Sequence, residues 1–141
     1  MKPPVGERVD NRSARFFLAI GAGLLGIGVA AGAFGAHGLE GMVSPERVEV
    51  YNTGVLYHLL HALALLILGL AIARWPGERL LQVAGYLLIA GIVIFSGSLY
   101  LLVLTDTGVL GAITPIGGVA FIAGWAVCVY AFLRAGSDRE L

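Results

Sequence analysis

The 18 charged residues of this chain lie at its two ends and in three short stretches, and they leave uncharged windows at 16–39, 50–73, 80–105 and 107–133. An α-helix rises about 1.5 Å per residue, and about 20 apolar residues cross a hydrocarbon core of about 30 Å. Windows of 24, 24, 26 and 27 residues are therefore each long enough to span a bilayer. Lipid offers backbone N–H and C=O groups no partner, and hydrophobicity in the windows is continuous rather than alternating, which favours helices over a barrel. The expected fold is all-α: an integral membrane bundle of four transmembrane helices at about 16–36, 53–73, 80–104 and 109–133, within a membrane domain covering 15–135. Residues 1–14, with Pro3, Pro4, Gly6 and several charges, read as a mobile tail, and 136–141 as a second tail. Trp75-Pro76-Gly77 reads as a tight turn, because proline and glycine both break helices there.

Composition agrees with this reading. Hydrophobic residues make up 58% and charged residues 13%, against about 45–50% and about 25% in an average soluble domain. Nine basic and nine acidic residues cancel, which leaves no electrostatic footprint for nucleic acid. A single cysteine, Cys128, excludes an intrachain disulfide framework and a clustered-cysteine metal site.

Lysine and arginine in short loops set orientation. Lys2, Arg8, Arg12, Arg15, Arg74, Arg79, Arg134 and Arg139 fall on one side of the four spans, and only Arg47 on the other. Both termini are therefore expected in the cytoplasm. The run ending in Ala31-Gly32-Ala33 is longer than the usual core of a signal peptide, so it reads as a retained first span.

The chain contains 21 glycines. Residues 21–26, G-A-G-L-L-G, match the dinucleotide-binding fingerprint in form, but the apolar run simply continues and the nearest acidic residues, Glu40 and Glu46, lie beyond the membrane boundary. Helix packing explains them better, because lipid removes the hydrophobic drive between helices and small residues permit close backbone contact. Gly28, Gly32 and Ala36 recur every four residues as one face of the first helix, with Gly21 and Gly35 near its margins; Gly97, Gly117 and Gly118 supply further packing surfaces.

Polar groups inside the spans converge on the outer half of the membrane. His58 and His61 lie about 7 and 12 Å below Thr53 at about 1.5 Å per residue and share a helix face with Tyr57. Ser96 and Ser98 reach a similar depth from the third helix, while His37 and Thr114 with Pro115 stand at helix ends on that side. Ionisable groups in a bilayer usually face the bundle interior or a water cavity. The candidate cluster is therefore His37, Tyr57, His58, His61, Ser96, Ser98 and Thr114. In one reading the histidines bond Ser96, Ser98 or a carbonyl near Pro115 and hold the helices together. In another they serve a proton, a small solute or a metal at His37, His58 and His61, since imidazoles suit zinc, copper, nickel and iron. No carboxylate lies inside any span, which excludes the paired Glu-x-x-His motifs of di-iron bundles. An intramembrane hydrolase built on Ser96 or Ser98 with His61 lacks its third member, because Asp106 is about 12 Å along the helix from Ser98. Asp106 reads as a cap on the turn, and Tyr51, Tyr100 and Trp75 as interface anchors.

Four blocks carry a family resemblance: GAFGAHGL at 32–39; Tyr51, Thr53, Gly54, Val55, Tyr57 and His61-Ala62-Leu63-Ala64; FSGSLYLLVLT at 95–105; and LGAITPIGGVAFIAGW at 110–125. In these the chain resembles the domain-of-unknown-function 423 family (DUF423) of small bacterial membrane proteins, related to the mitochondrial transmembrane protein 256. The resemblance covers about residues 15–133. It implies a four-helix membrane protein and places His37, Tyr57, His61, Ser96, Ser98, Thr114 and Pro115 in the family's blocks. His58 stands where the family pattern often has glutamine, which speaks for hydrogen bonding over metal ligation.

The expected function is that of a non-enzymatic accessory, assembly or structural component, without a cofactor, in the inner membrane of a bacterium or, in a eukaryote, of the mitochondrion. Its expected partners are the lipid bilayer and either further copies of itself or a larger membrane complex. An oligomeric channel or carrier with an outer polar pocket is the alternative.

Overall fold

A computed structural model describes residues 5–137, with side chains from 12 to 135. Four helices account for almost all of it: α1 (Val5–His37), α2 (Pro45–Arg74), α3 (Arg79–Thr105) and α4 (Thr114–Ser137). Each is long and apolar enough to cross a membrane, as the charge-free windows require. The expected tails at 1–14 and 136–141 fall partly outside the described residues, and α1 already runs from Val5.

The helices outrun the windows for local reasons. Pro45 occupies the first turn of α2, where its missing N–H costs nothing, and Glu46 complements the positive end of the helix dipole. The helix thus starts in the polar loop, ahead of the apolar segment. At the far end Gly77 takes φ +98°, and the Glu78 side chain caps α3 by accepting from the Leu80 N–H at 3.2 Å. Asp106 ends α3 in the left-handed conformation at φ 53°, a short 3₁₀ turn follows at Gly108–Ala112, and Thr114-Pro115 opens α4.

Within α3 the segment Ile92–Ser96 is π-helical. The Gly97 N–H bonds the Ile92 carbonyl five residues back rather than four. This extra residue turns Phe95 and Ser96 relative to the rest of the helix, and it lies where α4 comes closest: a Cβ at Gly117 would strike the Phe95 backbone.

Two hairpins make up the bundle. α1 packs along α2, and α3 along α4, with α2 in contact with both partners. Of its apolar window 56% is buried, against 17% for α1, so α2 is the central element. α1 meets α3 near its start, where Phe17 meets Tyr86 edge-on at 5.2 Å and Ser13 donates to Gln82 at 3.2 Å. The main core runs from Ala14 and Phe17 through Leu65, Leu81 and Leu88 to Phe121 and Ala131; a smaller one gathers Leu39, Tyr51, Val55 and Val103 near Arg47.

The inner face of α1 repeats every seven residues. Ala14, Gly21, Gly28 and Gly35 are buried, and a Cβ would lie 3.0 Å from the Ala62 carbonyl at Gly21, 2.6 Å from Leu59 at Gly28 and 2.9 Å from Tyr51 at Gly35. Gly32 is also on α2, 3.3 Å from Val55, whereas Ala36 is exposed. The four-residue spacing of Gly28, Gly32 and Ala36 drifts off the contact because close helix pairs keep a period near 3.5, which brings every seventh residue back to the seam. Gly117 is a close-packing residue; a Cβ at Gly118 would only graze Phe95 at 3.9 Å, and one at Gly97 would meet nothing within 4 Å.

These contacts separate two kinds of glycine on one helix. Gly28→Leu is expected to lower the unfolding free energy in mixed detergent by about 1–3 kcal/mol through overpacking, while Gly26→Leu, at a position open on all sides, leaves it unchanged.

Candidate functional site

His61 joins α2 to α4. Its Nδ1 lies 2.7 Å from the Tyr57 carbonyl one turn back, and its Nε2 lies 3.2 Å from the Trp125 indole nitrogen on α4. A carbonyl only accepts and an indole N–H only donates, so Nδ1 must carry the proton and Nε2 must accept. The imidazole is neutral and both of its nitrogens are used. Its ring stacks on Phe121 at 3.5 Å and 15°, Tyr57 lies alongside at 5.9 Å, and Phe95 closes the group at 4.6 Å from Tyr57.

His58, one turn nearer the Arg47 end, faces differently. Its Nδ1 is 3.2 Å from the Tyr100 hydroxyl on α3. Its buried Nε2 has no hydrogen-bond partner among the described residues. Gly28 makes room for that ring: a Cβ there would lie 3.4 Å from it. Tyr100 in turn packs on Tyr51 at 4.9 Å and against Gly54. His58 is thus enclosed by α1, α2 and α3.

Ser98 and Thr114 link α3 to α4 at 2.8 Å. The Ser98 hydroxyl also lies 2.9 Å from the Phe95 carbonyl. With one proton on each oxygen, Ser98 donates either to the Phe95 carbonyl, inside the π-helical segment, while accepting from Thr114, or to Thr114, which then donates to the Leu110 carbonyl at 3.4 Å. Ser96 is fully buried, and its Oγ has no hydrogen-bond partner among the described residues.

Of the sequence-derived cluster, Tyr57 and His61 come together, Ser98 joins Thr114, and His58 stands apart against Tyr100. The histidines take Trp125 and Tyr100 as side-chain partners, in place of Ser96, Ser98 or a carbonyl near Pro115. His37 is exposed at the end of α1, away from the other two histidines. The three-histidine metal alternative is therefore not assembled: among the described residues no group of three His, Cys, Asp or Glu is placed to hold a metal ion. Trp125, Phe121, Phe95 and Tyr100 were missed as site residues, although all four lie in the quoted blocks and Phe121 and Trp125 stand four apart on one helix face.

At the end of the bundle opposite the Trp75 turn, Arg47 in the first turn of α2 donates to the Leu102 carbonyl at 2.9 Å and pairs with Asp106. Asp106 thus caps the turn as expected, and Arg47 satisfies a carbonyl in the last turn of α3. A cavity of about 500 Å³ lies beside this clasp, walled by Phe34, Leu39, Met42 and Val103.

Four long apolar helices, closed on one another by hydrogen bonds and aromatic stacks, define a small multi-pass membrane protein. The family described as "Protein of unknown function (DUF423)" matches residues 31–118. The UPF0382 membrane protein YwdK of Bacillus subtilis is 47% identical over 122 residues, which cover 85% of this chain and 98% of that protein. UPF0382 membrane protein SERP0230 of Staphylococcus epidermidis is 48% identical, with 85% and 97% covered. The chain belongs to the DUF423 family. No solved structure matches it.

The bond between His61 and Trp125 is measurable as a coupling. In a cycle of His61→Phe, Trp125→Phe and the double variant, unfolding free energies should give an interaction of about 0.6–1.7 kcal/mol, the range of hydrogen bonds between membrane helices. Strict additivity would show that the two side chains merely lie near one another.

Proposed function

We propose that this protein is a non-enzymatic assembly component of the bacterial cytoplasmic membrane, with both termini in the cytoplasm. The observation that carries this reading is that His61, Ser98 and Thr114 are held by other groups of the bundle, with His58 Nε2 and the Ser96 hydroxyl left without a partner among the described residues. His61 is held from both sides, His58 by Tyr100, and Ser98 by Thr114 and Phe95. A general base needs a free lone pair and a nucleophile needs that base beside it. His61 has already given its lone pair to an indole, and His58, whose Nε2 has no partner among the described residues, is buried with no nucleophile beside it: its one side-chain hydrogen bond is to Tyr100, and neither large cavity is lined by it.

The outer face of α1 supports an assembly role. Ala19, Gly23, Gly26, Ala30 and Ala33 recur at alternating steps of four and three on the side opposite Gly21, Gly28 and Gly35, and all five are exposed. Gly23 and Gly26 have nothing within 4 Å of a Cβ position. In lipid, such a face lets a second helix approach to backbone contact. α1 is therefore small-residued on both sides, with α2 on one side and room for a helix of another copy or another membrane protein on the other. The positive-inside bias, eight basic residues against one, supports the orientation.

Cross-linking in native membranes tests the assembly role. Gly26→Cys should give a disulfide-linked dimer or a cross-link to a second membrane protein, and Val119→Cys, exposed on α4, should not. Equal, low yields at the two positions would count decisively against the role. For orientation, a membrane-impermeant maleimide applied to intact cells should label Val109→Cys and spare Gly77→Cys; the reverse pattern would overturn it.

A further inference from the structure

A second cavity, of about 760 Å³, opens at the Trp75 end of the bundle, where α2 ends, the turn crosses and α4 ends; Arg74, Trp75, Glu78 and Arg134 line it. We propose that it binds the phosphate headgroup of an anionic phospholipid.

The donors are in place. The Arg74 guanidinium lies 5.8 Å over the Trp75 ring, which orients it by a cation–π contact and leaves its N–H groups unspent, and among the described residues it forms no ion pair. Arg134 Nε stands 3.9 Å from Glu78 Oε2, beyond hydrogen-bond range. The other Glu78 oxygen is committed to the Leu80 N–H as the cap of α3. Among the described residues the cavity is thus lined by two guanidinium groups and one largely buried carboxylate, an excess of a single positive charge that matches a phosphodiester. The planar fork of arginine suits phosphate oxygens better than a point charge does.

The surroundings choose a lipid over a soluble phosphate. Leu70 and Tyr130 stand one helical turn deeper, on the same faces as Arg74 and Arg134, and are 62% and 61% exposed. Phe132 meets Trp75 edge-on at 5.8 Å and is also exposed. Below the two charges lies an apolar wall along which acyl chains can run, with Trp75 at the headgroup level where indoles concentrate. Basic pockets between membrane helices hold anionic headgroups in this way.

Native mass spectrometry of the full chain in mild detergent, titrated with dioleoyl-phosphatidylglycerol or dioleoyl-phosphatidylcholine, tests the site. Expected is a single retained phosphatidylglycerol, bound about tenfold more tightly than phosphatidylcholine, with that preference lost in Arg74→Ala/Arg134→Ala and kept in Arg15→Ala, which removes a charge outside the cavity. Equal affinity of the intact protein for the two lipids would overturn the proposal whatever the variants do. So would a preference that survives in the double variant. Displacement of the lipid by millimolar inorganic phosphate would assign the cavity to a soluble anion and overturn it equally.

Discussion

Two helices in a bilayer gain nothing by leaving water together, so the bundle depends on how near their backbones can come. The approach of α1 to α2 sets that distance. Gly21, Gly28 and Gly35 stand against the Ala62 carbonyl, Leu59 and Tyr51 with no room for a side chain. Once α1 is that close, His58 lies beside Gly28, and an imidazole on the central helix is sealed from lipid by its neighbour. The same device recurs between α3 and α4, where Gly117 sits on the Phe95 backbone and Gly124 lies under Leu88.

Close approach alone has no direction, and the polar contacts supply one. His61 reaches Trp125, Ser98 reaches Thr114, and Arg47 reaches the end of α3, so each contact ties a given depth of one helix to a given depth of another. In hydrocarbon a slipped register would leave an indole N–H or a hydroxyl without a partner, at a cost larger than the bond itself is worth. The π-helical turn belongs to this arrangement. It turns Phe95 into the aromatic group around His61 while leaving its carbonyl for Ser98.

The two ends of the molecule differ in chemistry. At the Arg47 end a single arginine is fully engaged in capping α3 and pairing Asp106. At the Trp75 end Arg74 and Arg134 exceed Glu78, the one acidic residue among the described residues that line the cavity. The two ends thus also differ in their unspent hydrogen-bond donors among the described residues.

The sequence by itself determined the number of spans, the helical class and the family, because charge is excluded from hydrocarbon and its positions can be counted without a structure. It also marked Tyr57, His61, Ser98 and Thr114 as polar groups at one depth. Only the tertiary structure decided their partners. Rotation of one helix against another is not written in either helix alone, so the choice of Trp125 for His61, of Tyr100 for His58, and the removal of His37 to the surface had to await the packed bundle. The seven-residue period of α1 was hidden for the same reason. Thirteen glycines and alanines from Ala14 to Ala36 offer several periods, and the supercoil of two helices in contact selects the one that closes.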